Sequence, residues 1–314
     1  FYMANGQSVA SGDSVACYRH TKPAPLLTPQ ELHGNVWDLL PMDKYRAHNW
    51  QTTERQPYAS IYTSLGCPFK CVFCCINSPF GGPGYRMRRP QDVVNEVDHL
   101  YREHWVKTFK ITDEMFVLKP DHYLAICEGL AALPYTKELN FWAYARIDTV
   151  RSDNLALLRR AGIRWLALGI ESGSAHVRDG ALKKIDHQDI YDTVRAIQDA
   201  DIKVIGNFIF GLPDDTIESM QETLDMALTL GCDFANFYAA QAYPGSKLFT
   251  MTDTNDLPET WSGYSQHGYE TRPLPTATLT SAEVLAFRDR AHNLYFLGDA
   301  ALTRPLKRKL LESA

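Results

Sequence analysis

Four of the seven cysteines lie within nine residues of one another, from Cys67 to Cys75. Cys67, Cys71 and Cys74 have the spacing CxxxCxxC and follow directly after a strand-like run. Three thiolates on one short loop can hold three corners of an iron–sulfur cube, whereas a closed electron-transfer cluster of this type uses four cysteines. Three protein ligands leave one iron open to a substrate or cofactor, just as a catalytic zinc site keeps one position open. We therefore predict that these three cysteines are the metal ligands of a [4Fe–4S] cluster.

Other functions for the cysteines are weighed against this prediction. A structural zinc site would need a second ligand pair at a distance, and the sequence contains none. A redox function of Cys71 and Cys74 as a CxxC pair remains an alternative. Cys75 directly follows Cys74, and adjacent residues in extended chain point opposite ways, so we do not expect it to be a ligand. We expect the isolated cysteines to be buried free thiols; these are Cys17, Cys127 and Cys232.

Polar side chains also follow three later strand-like runs, at the point where each run ends. These residues are Asp113 and Glu114, then Arg146, then Glu171 and Ser172. These groups have structural alternatives, because Asp113 could cap a helix and Arg146 could form an ion pair with Glu171. One such group at each strand end favours a shared site, because parallel strands bring their C-terminal ends to one edge of a sheet or barrel.

The elements that position these residues follow from hydrophobic periodicity. Asp92–His104 and Thr216–Leu230 have the period of amphipathic helices. Such stretches alternate with six strand-like runs, which are Ala59–Ser64, Thr108–Thr112, Leu139–Ala145, Trp165–Ile170, Lys203–Phe210 and Asp233–Gln241. Alternation of this kind gives parallel strands joined by right-handed crossovers. The pattern predicts the α/β class and leaves open whether the sheet is doubly wound or an incomplete barrel.

The flanking regions lack this alternation. We predict a linker or arm over residues 1–55, the alternating core over 56–250, and a C-terminal loop and helix over 251–314. Within the last region, Ser281–Leu297 is predicted as a helix capped by Ser281. Because the first residue is phenylalanine rather than methionine, we expect the chain to be part of a longer protein.

Composition limits the classes of function. The net charge is −5 and the pI is about 6.1, so no basic surface indicates a nucleic-acid partner. No apolar run approaches the length of about 18 residues that a membrane helix needs, and no signal peptide is recognisable. Cysteine-rich metal sites without a secretory signal are typical of a reducing compartment, so we expect a cytoplasmic protein.

The cysteine segment Gly66–Cys75 resembles the radical S-adenosylmethionine (SAM) superfamily, because an aromatic residue, Phe73, precedes the third cysteine of a CxxxCxxC motif at the end of a first strand. The resemblance implies a partial (β/α)6 barrel of the TIM type. In that family, SAM chelates the open iron, and one electron from the cluster splits its sulfonium to give a 5′-deoxyadenosyl radical. The chemistry belongs to the cofactors, and the protein positions them.

The resemblance also implies contacts to SAM. Ile111–Phe116 takes the place of the family's Gly-Gly-Glu motif, so Asp113 or Glu114 is expected to accept hydrogen bonds from the SAM amine. By the same resemblance, Arg146 suits a carboxylate or ribose contact, and the segment Gly206–Pro213 packs on adenine. The complete implied set of cofactor-binding residues is Phe73, Asp113, Glu114, Arg146, Glu171, Ser172, Asn207 and Ile209.

Finer details resemble a subgroup that carries a cobalamin-binding domain upstream. These details are Tyr85–Pro90, Asp113–Phe116 and Phe287–Phe296, with Asn35–Pro41 as the segment that links the two domains. Many members are methyltransferases, so the implied function is cobalamin-dependent methyl transfer, with a small-molecule or peptide substrate and an electron donor of the flavodoxin or ferredoxin type. The alternatives are a radical SAM enzyme without cobalamin, such as a cyclase, a maturase or a methylthiotransferase, and a non-catalytic iron–sulfur module.

Overall fold

The computed structural model describes residues 25–47 and 57–298. We number the strands in chain order as β1 (Tyr58–Ile61), β2 (Ser64–Leu65), β3 (Arg86–Met87), β4 (Thr108–Ile111), β5 (Asn140–Arg146), β6 (Ile163–Glu171), β7 (Lys203–Phe210) and β8 (Phe234–Ala239). The helices are α1 (Pro90–His104), α2 (Pro120–Ala131), α3 (Ser152–Arg160), α4 (Ala175–Gly180), α5 (His187–Asp199), α6 (Ile217–Leu230), α7 (Lys247–Met251) and α8 (Ser281–Leu297). Within the described residues, no helix is both long enough and apolar enough to cross a membrane.

Six of the strands form one parallel sheet in the order β1-β4-β5-β6-β7-β8. A doubly wound sheet requires the strand order to reverse at a switch point, and this order never reverses. Right-handed crossovers that always advance in one direction place every connecting helix on the same face, and the sheet curls around its other face. The fold is therefore α/β with the topology of a partial (β/α)6 barrel, as predicted.

Side chains on β6 show how the two faces of the sheet differ. Leu166, Leu168 and Ile170 belong to the large apolar core that lies between the sheet and the helices. Trp165 and Ala167 alternate with them and form a separate small cluster on the opposite, concave face. Both sets are buried, which gives the nearly continuous apolar run typical of a parallel strand covered on both sides.

The first predicted strand, Ala59–Ser64, is wrong in extent. β1 ends at Ile61, and Ser64 belongs to β2, which pairs antiparallel with β3 in a separate two-stranded sheet. Asp113 holds this junction, since its carboxylate accepts hydrogen bonds from the Thr63 amide (2.6 Å), the Thr63 hydroxyl (2.5 Å) and the Ser64 hydroxyl (2.5 Å). The alternative that Asp113 caps a helix is therefore wrong.

The C-terminal helix has the predicted bounds but a different cap. Thr280, rather than Ser281, is the N-cap, because its side chain accepts from the Glu283 amide while the Glu283 side chain accepts from the Thr280 amide. This reciprocal pair is a capping box, and it makes Ser281 the first helical residue. Cys127 and Cys232 are buried as predicted, whereas Cys17 lies outside the described residues.

The segment over residues 25–47 packs on α1. The Trp37 indole is buried and donates a 2.6 Å hydrogen bond to Glu96 on that helix. Glu96 also forms a 2.6 Å ion pair with Arg88, and both side chains are almost fully buried. A buried ion pair of this kind holds its partners in one arrangement, because separating them would leave an uncompensated charge.

Candidate functional site

The cysteine loop follows β2 at the C-terminal edge of the parallel sheet. Cys67 is buried, Cys71 is half-buried and Cys74 is exposed, and the three thiols are close enough to interact electrostatically. Gly66 allows this entry into the loop, because its φ is +85° and a Cβ atom there would lie 2.8 Å from the Gly84 carbonyl oxygen. Burial raises the pKa of the Cys67 thiol, so a bound cation would be needed to hold it as a thiolate.

The centre of the cysteine loop is hydrogen-bonded to two other segments of the chain. The Val72 amide donates to the Ala181 carbonyl (3.2 Å), and the Val72 carbonyl accepts from the Leu248 amide (2.8 Å). Its side chain packs in a small apolar cluster to which Phe73 and Ile209 also contribute. Two of the predicted cofactor-binding residues therefore lie together, on the side of the loop that faces the barrel.

The spread of the thiols bears on which metal they suit. Four-coordinate zinc, with Zn–S bonds of about 2.3 Å, brings thiolate sulfurs to about 3.8 Å from one another. Among the described residues, the three sulfur atoms do not meet even a looser condition, since they do not all lie within 4.8 Å of one another. A cubane cluster holds each cysteine on a different iron and needs a wider spread. The donor set and its spacing therefore fit an iron–sulfur cluster better than a single ion.

Arg146 lies beside the cysteine loop at the end of β5. Its guanidinium nitrogen is 3.5 Å from the Cys71 sulfur, and its central carbon stacks 3.9 Å from the centre of the Phe69 ring. Two further nitrogens donate to both carboxylate oxygens of Asp148, each at 2.9 Å. A fixed cation at this position favours a negatively charged sulfur cluster. Arg146 does not pair with Glu171, so that structural alternative is wrong.

Asp113 and Glu114 have different surroundings, although they are adjacent. Asp113 is 1% exposed and its oxygens are occupied by Thr63 and Ser64. Glu114 is half-buried and accepts a 3.0 Å hydrogen bond from the Gly66 amide, next to Cys67. The geometry therefore favours Glu114 as the carboxylate with free acceptor capacity beside the cysteine loop.

Glu171 ends β6 in an unusual backbone conformation, with φ at +69° after a register shift in the pairing with β7. Its carboxylate forms a 2.5 Å ion pair with Lys183, and both side chains are buried. Gly169 leaves room for this pair, since a Cβ atom there would lie 2.5 Å from the Glu171 oxygen and 2.6 Å from the Lys183 nitrogen. A left-handed glutamate held by a buried lysine is the kind of strained position that is found at functional sites.

Ser172 and Asn207 are the predicted site residues whose polar groups are engaged elsewhere. The Ser172 hydroxyl is buried and lies 3.1 Å from the Thr223 hydroxyl on α6. The Asn207 amide nitrogen donates to the Leu168 carbonyl (3.1 Å), and its oxygen accepts from Asn236 (2.9 Å). The structure therefore places Ser172 at the junction with α6 and Asn207 in a chain of amides across the concave face.

Aromatic residues line the concave face below these groups. Lys110 lies over the Trp142 ring, with its nitrogen 4.4 Å from the ring centre, and over Tyr144 at 5.6 Å. Burial raises the pKa of Tyr144 and raises that of Tyr238 to about 12, so both keep their protons at neutral pH. This surface offers ring faces, hydroxyl groups and the Lys110 ammonium group to a molecule in the barrel.

Sequence reasoning missed three polar groups near this site. Lys183 follows α4 at a distance of twelve residues from Glu171, and no periodic signal connects the two. Asp148 was visible two residues after Arg146, which is the spacing at which it forms its ion pair. Lys110 stands alone between apolar residues of β4, and a lysine inside an apolar strand was the available signal.

Comparisons with known proteins show what the chain as a whole is similar to. A family model described as the radical SAM superfamily matches residues 61–227. The chain is 31% identical over 245 residues to an uncharacterized methyltransferase of Pyrococcus horikoshii. The aligned region covers 76% of this chain and 50% of that protein. It is 29% identical over 289 residues to an anaerobic magnesium-protoporphyrin IX monomethyl ester cyclase of Cereibacter sphaeroides, covering 90% and 45% of the two. The chain spans about half the length of these curated relatives.

A solved structure shares the fold. The radical S-adenosylmethionine methyltransferase TsrM from Kitasatospora setae, with cobalamin and a [4Fe–4S] cluster bound, superposes with a TM-score of 0.56 at 21% sequence identity. The matched region covers 62% of this chain and 39% of that one.

Proposed function

The chain belongs to the radical SAM superfamily, and from that premise we propose that it is the catalytic barrel of a cobalamin-dependent methyltransferase. In this proposal, Cys67, Cys71 and Cys74 hold a [4Fe–4S] cluster, and SAM binds at the iron that they leave open. When bound, the cluster and SAM supply reductive cleavage of the sulfonium and so a 5′-deoxyadenosyl radical. The observation that carries the proposal is the three-cysteine loop beside the Arg146 guanidinium, with the Glu114 carboxylate at its start.

The residues around the loop have separate roles in this proposal. Glu114 accepts hydrogen bonds from the amino group of SAM, and Arg146 offers positive charge next to the cluster sulfurs. Phe73 and Ile209 supply the apolar surface on which the adenine packs. The ammonium of Lys183 and the carboxylate of Glu171 lie at the next strand end, where they suit the polar groups of SAM.

Methyl transfer and cobalamin are supported by three observations. The Pyrococcus horikoshii relative is named a methyltransferase. The solved structure with the same fold contains cobalamin. The segment Asn35–Pro41, which resembles the connection to an upstream cobalamin domain, lies against the barrel helix α1 in the structure. We propose a small organic or peptide substrate, an electron donor of the flavodoxin or ferredoxin type, and a cytoplasmic location.

A second candidate is ring closure on a tetrapyrrole. The cyclase relative matches 90% of this chain, a larger share than the 76% that the methyltransferase relative matches. The two activities share the cluster and SAM, so they are distinguished by the product rather than by the cysteine loop.

The proposal is tested by assembling the cluster anaerobically with iron and sulfide, reducing it, and recording electron paramagnetic resonance spectra with and without SAM. We expect a [4Fe–4S]⁺ signal that changes when SAM is added, together with slow release of 5′-deoxyadenosine. With reduced cobalamin and methyl-labelled SAM, a form of the protein that includes the upstream cobalamin-binding domain should transfer label from SAM to cobalamin. A cluster whose spectrum ignores SAM would refute the radical function, and an intact radical reaction without label transfer in that longer form would refute cobalamin-dependent methyl transfer.

The role of Glu114 gives a more local prediction. Glu114→Gln should leave the iron content unchanged and weaken SAM binding about 10- to 100-fold, which corresponds to the loss of one charge-assisted hydrogen bond of about 1.5–3 kcal/mol. Asp113→Asn is the matched comparison, and we expect it to lower thermal stability because Asp113 holds Thr63 and Ser64. The measurements are equilibrium SAM binding, iron content and melting temperature. If Asp113→Asn alone weakens SAM binding at normal stability, the assignment of Glu114 is wrong.

A further inference from the structure

We propose that Asp38, His99 and His104 form a zinc-binding site that fastens the segment before the barrel to helix α1. Asp38 lies in a short 3₁₀ helix over Trp37–Leu39, and the two histidines lie in α1, with His104 as its last residue. The three side chains lie on the helical side of the sheet, away from the cysteine loop. The inference is independent of the proposed function, because it involves neither the cluster nor SAM.

The ligand atoms have nearly the separation that zinc requires. The Asp38 Oδ1 atom lies 3.0 Å from the His99 Nε2 atom and 2.9 Å from the His104 Nε2 atom. One ligand atom from each of the three residues can be chosen so that all lie within 4.8 Å of one another. Tetrahedral zinc with bonds of about 2.0 Å places neighbouring ligand atoms about 3.3 Å apart. The two carboxylate–imidazole distances would therefore need to lengthen by only a few tenths of an ångström.

The two imidazole rings are arranged to share one ion. Their centres are 5.6 Å apart and their planes are inclined by 78°. Two imidazoles bound through nitrogen to one tetrahedral zinc have ring centres about 5 Å apart, given bonds of about 2.0 Å. Both rings direct the same kind of nitrogen toward a single carboxylate oxygen. A shared metal ion would also bring both nitrogens close to one carboxylate oxygen. Each nitrogen would then present a lone pair to the ion instead of a proton to the oxygen.

The donor set favours zinc over the alkaline-earth ions. Two imidazoles and one carboxylate match the ligands of zinc and similar transition metals, whereas calcium and magnesium take oxygen ligands. The side chains of Asp38, His99 and His104 are 65%, 41% and 18% exposed, which leaves an open approach for the ion and room for a water molecule as the fourth ligand.

The position of the site suggests what zinc does there. Asp38 directly follows Trp37, whose buried indole is hydrogen-bonded to Glu96 on α1. The neighbouring side chains therefore reach α1 at two points, one buried and one at the surface. Zinc bound by Asp38 and the two histidines would oppose separation of residues 36–44 from α1 and would leave the buried contact of Trp37 unchanged. It has this effect because it binds only when Asp38 lies against α1.

The test uses the full chain with its cluster assembled, so that the cysteine thiols are not open to added metal, and titrates it with Zn²⁺ alone by calorimetry. We expect one zinc ion per chain, and binding weakened by at least about tenfold in His104→Gln and in His99→Gln. Glutamine keeps an amide group that can still donate to Asp38, so the fold contact survives. His176→Gln, which changes an exposed histidine on α4, is the matched control and should bind zinc normally.

A second measurement separates a fastening role from adventitious surface binding. Hydrogen exchange over residues 36–44 should slow when zinc is added to the unsubstituted chain and to His176→Gln, and should not respond to zinc in His104→Gln. Absence of stoichiometric zinc binding would overturn the proposal and leave a hydrogen-bonded Asp–His contact. Zinc binding that is unchanged in both Gln variants of α1, or binding that leaves exchange unaffected, would overturn it as well.

Discussion

The Cys71→Ala protein is expected to assemble no [4Fe–4S] cluster and to release no 5′-deoxyadenosine above the level of cluster-free protein. Cys71 is the middle member of the three-cysteine loop, and its sulfur is the one that contacts Arg146. Two remaining thiolates cannot hold a cubane that the loop would otherwise hold by three corners. Iron should therefore fall from about four atoms per chain to near zero, measured after anaerobic reconstitution and gel filtration.

Cys75→Ala is the matched control for this result. Cys75 is adjacent to Cys74, is half-buried like Cys71, and carries the same reactive group. We expect its removal to leave iron content, the response of the spectrum to SAM and 5′-deoxyadenosine release at the unsubstituted level. Loss of iron in Cys75→Ala together with its retention in Cys71→Ala would mean that the ligand set has been assigned to the wrong thiols.

The Lys183→Met protein is expected to melt about 10 °C lower than the unsubstituted chain. The Lys183 and Glu171 side chains are 4% and 9% exposed, so removing the ammonium strands a carboxylate in a buried position. Breaking a buried pair from one side costs about 3–5 kcal/mol. For a domain of this size each kcal/mol shifts the melting temperature by about 2–4 °C. Melting curves of cluster-loaded protein, recorded anaerobically at one scan rate, measure the change.

A second substitution removes the Glu171 carboxylate, which Lys183→Met leaves buried without its partner. Glu171→Gln in the Lys183→Met background should recover at least half of the lost melting temperature, because the uncompensated carboxylate is gone. Gly169→Ala should damage the same pair by another route, since its Cβ atom would lie 2.5 Å from the Glu171 oxygen. A Lys183→Met protein that melts within 2 °C of the original would show that the pair contributes nothing to stability.

The parallel sheet was predictable from the sequence because its strands read as short apolar runs that alternate with amphipathic helices. Burial on both faces contributes to this in β6, which is buried over most of its length, whereas β5 and β8 alternate buried with half-buried residues. β5 illustrates the accuracy, since the predicted Leu139–Ala145 became Asn140–Arg146. The choice of a barrel over a doubly wound sheet came from the resemblance to the radical SAM superfamily, because periodicity carries no information on which strands are neighbours. The hairpin of β2 and β3 was missed because strands of two residues contain no period.

The sequence predicts which strand ends contribute to the candidate site, but it does not predict which side chains pair with one another there. The rule that parallel strands present their C-terminal ends at one edge correctly placed Arg146 next to the cysteine loop. The same rule could not tell that Arg146 pairs with Asp148 and Glu171 with Lys183. The pairing of Glu171 with Lys183 depends on the bulge at the end of β6 and on the space that Gly169 leaves open, which are properties of the folded backbone.

The strand order described above also has a consequence for how the chain acquires its fold. β1 and β8 are the two edges of the sheet, so no pairing joins the first strand to the last. Each pair in the large sheet joins two of its strands that follow one another in chain order. The longest of the connections between paired strands is the one that brings Tyr58 next to Thr108. A chain emerging from the ribosome can therefore add each new strand to a sheet that already exists. A fully closed barrel, by contrast, has to wait for its final strand before its first one gains a second neighbour.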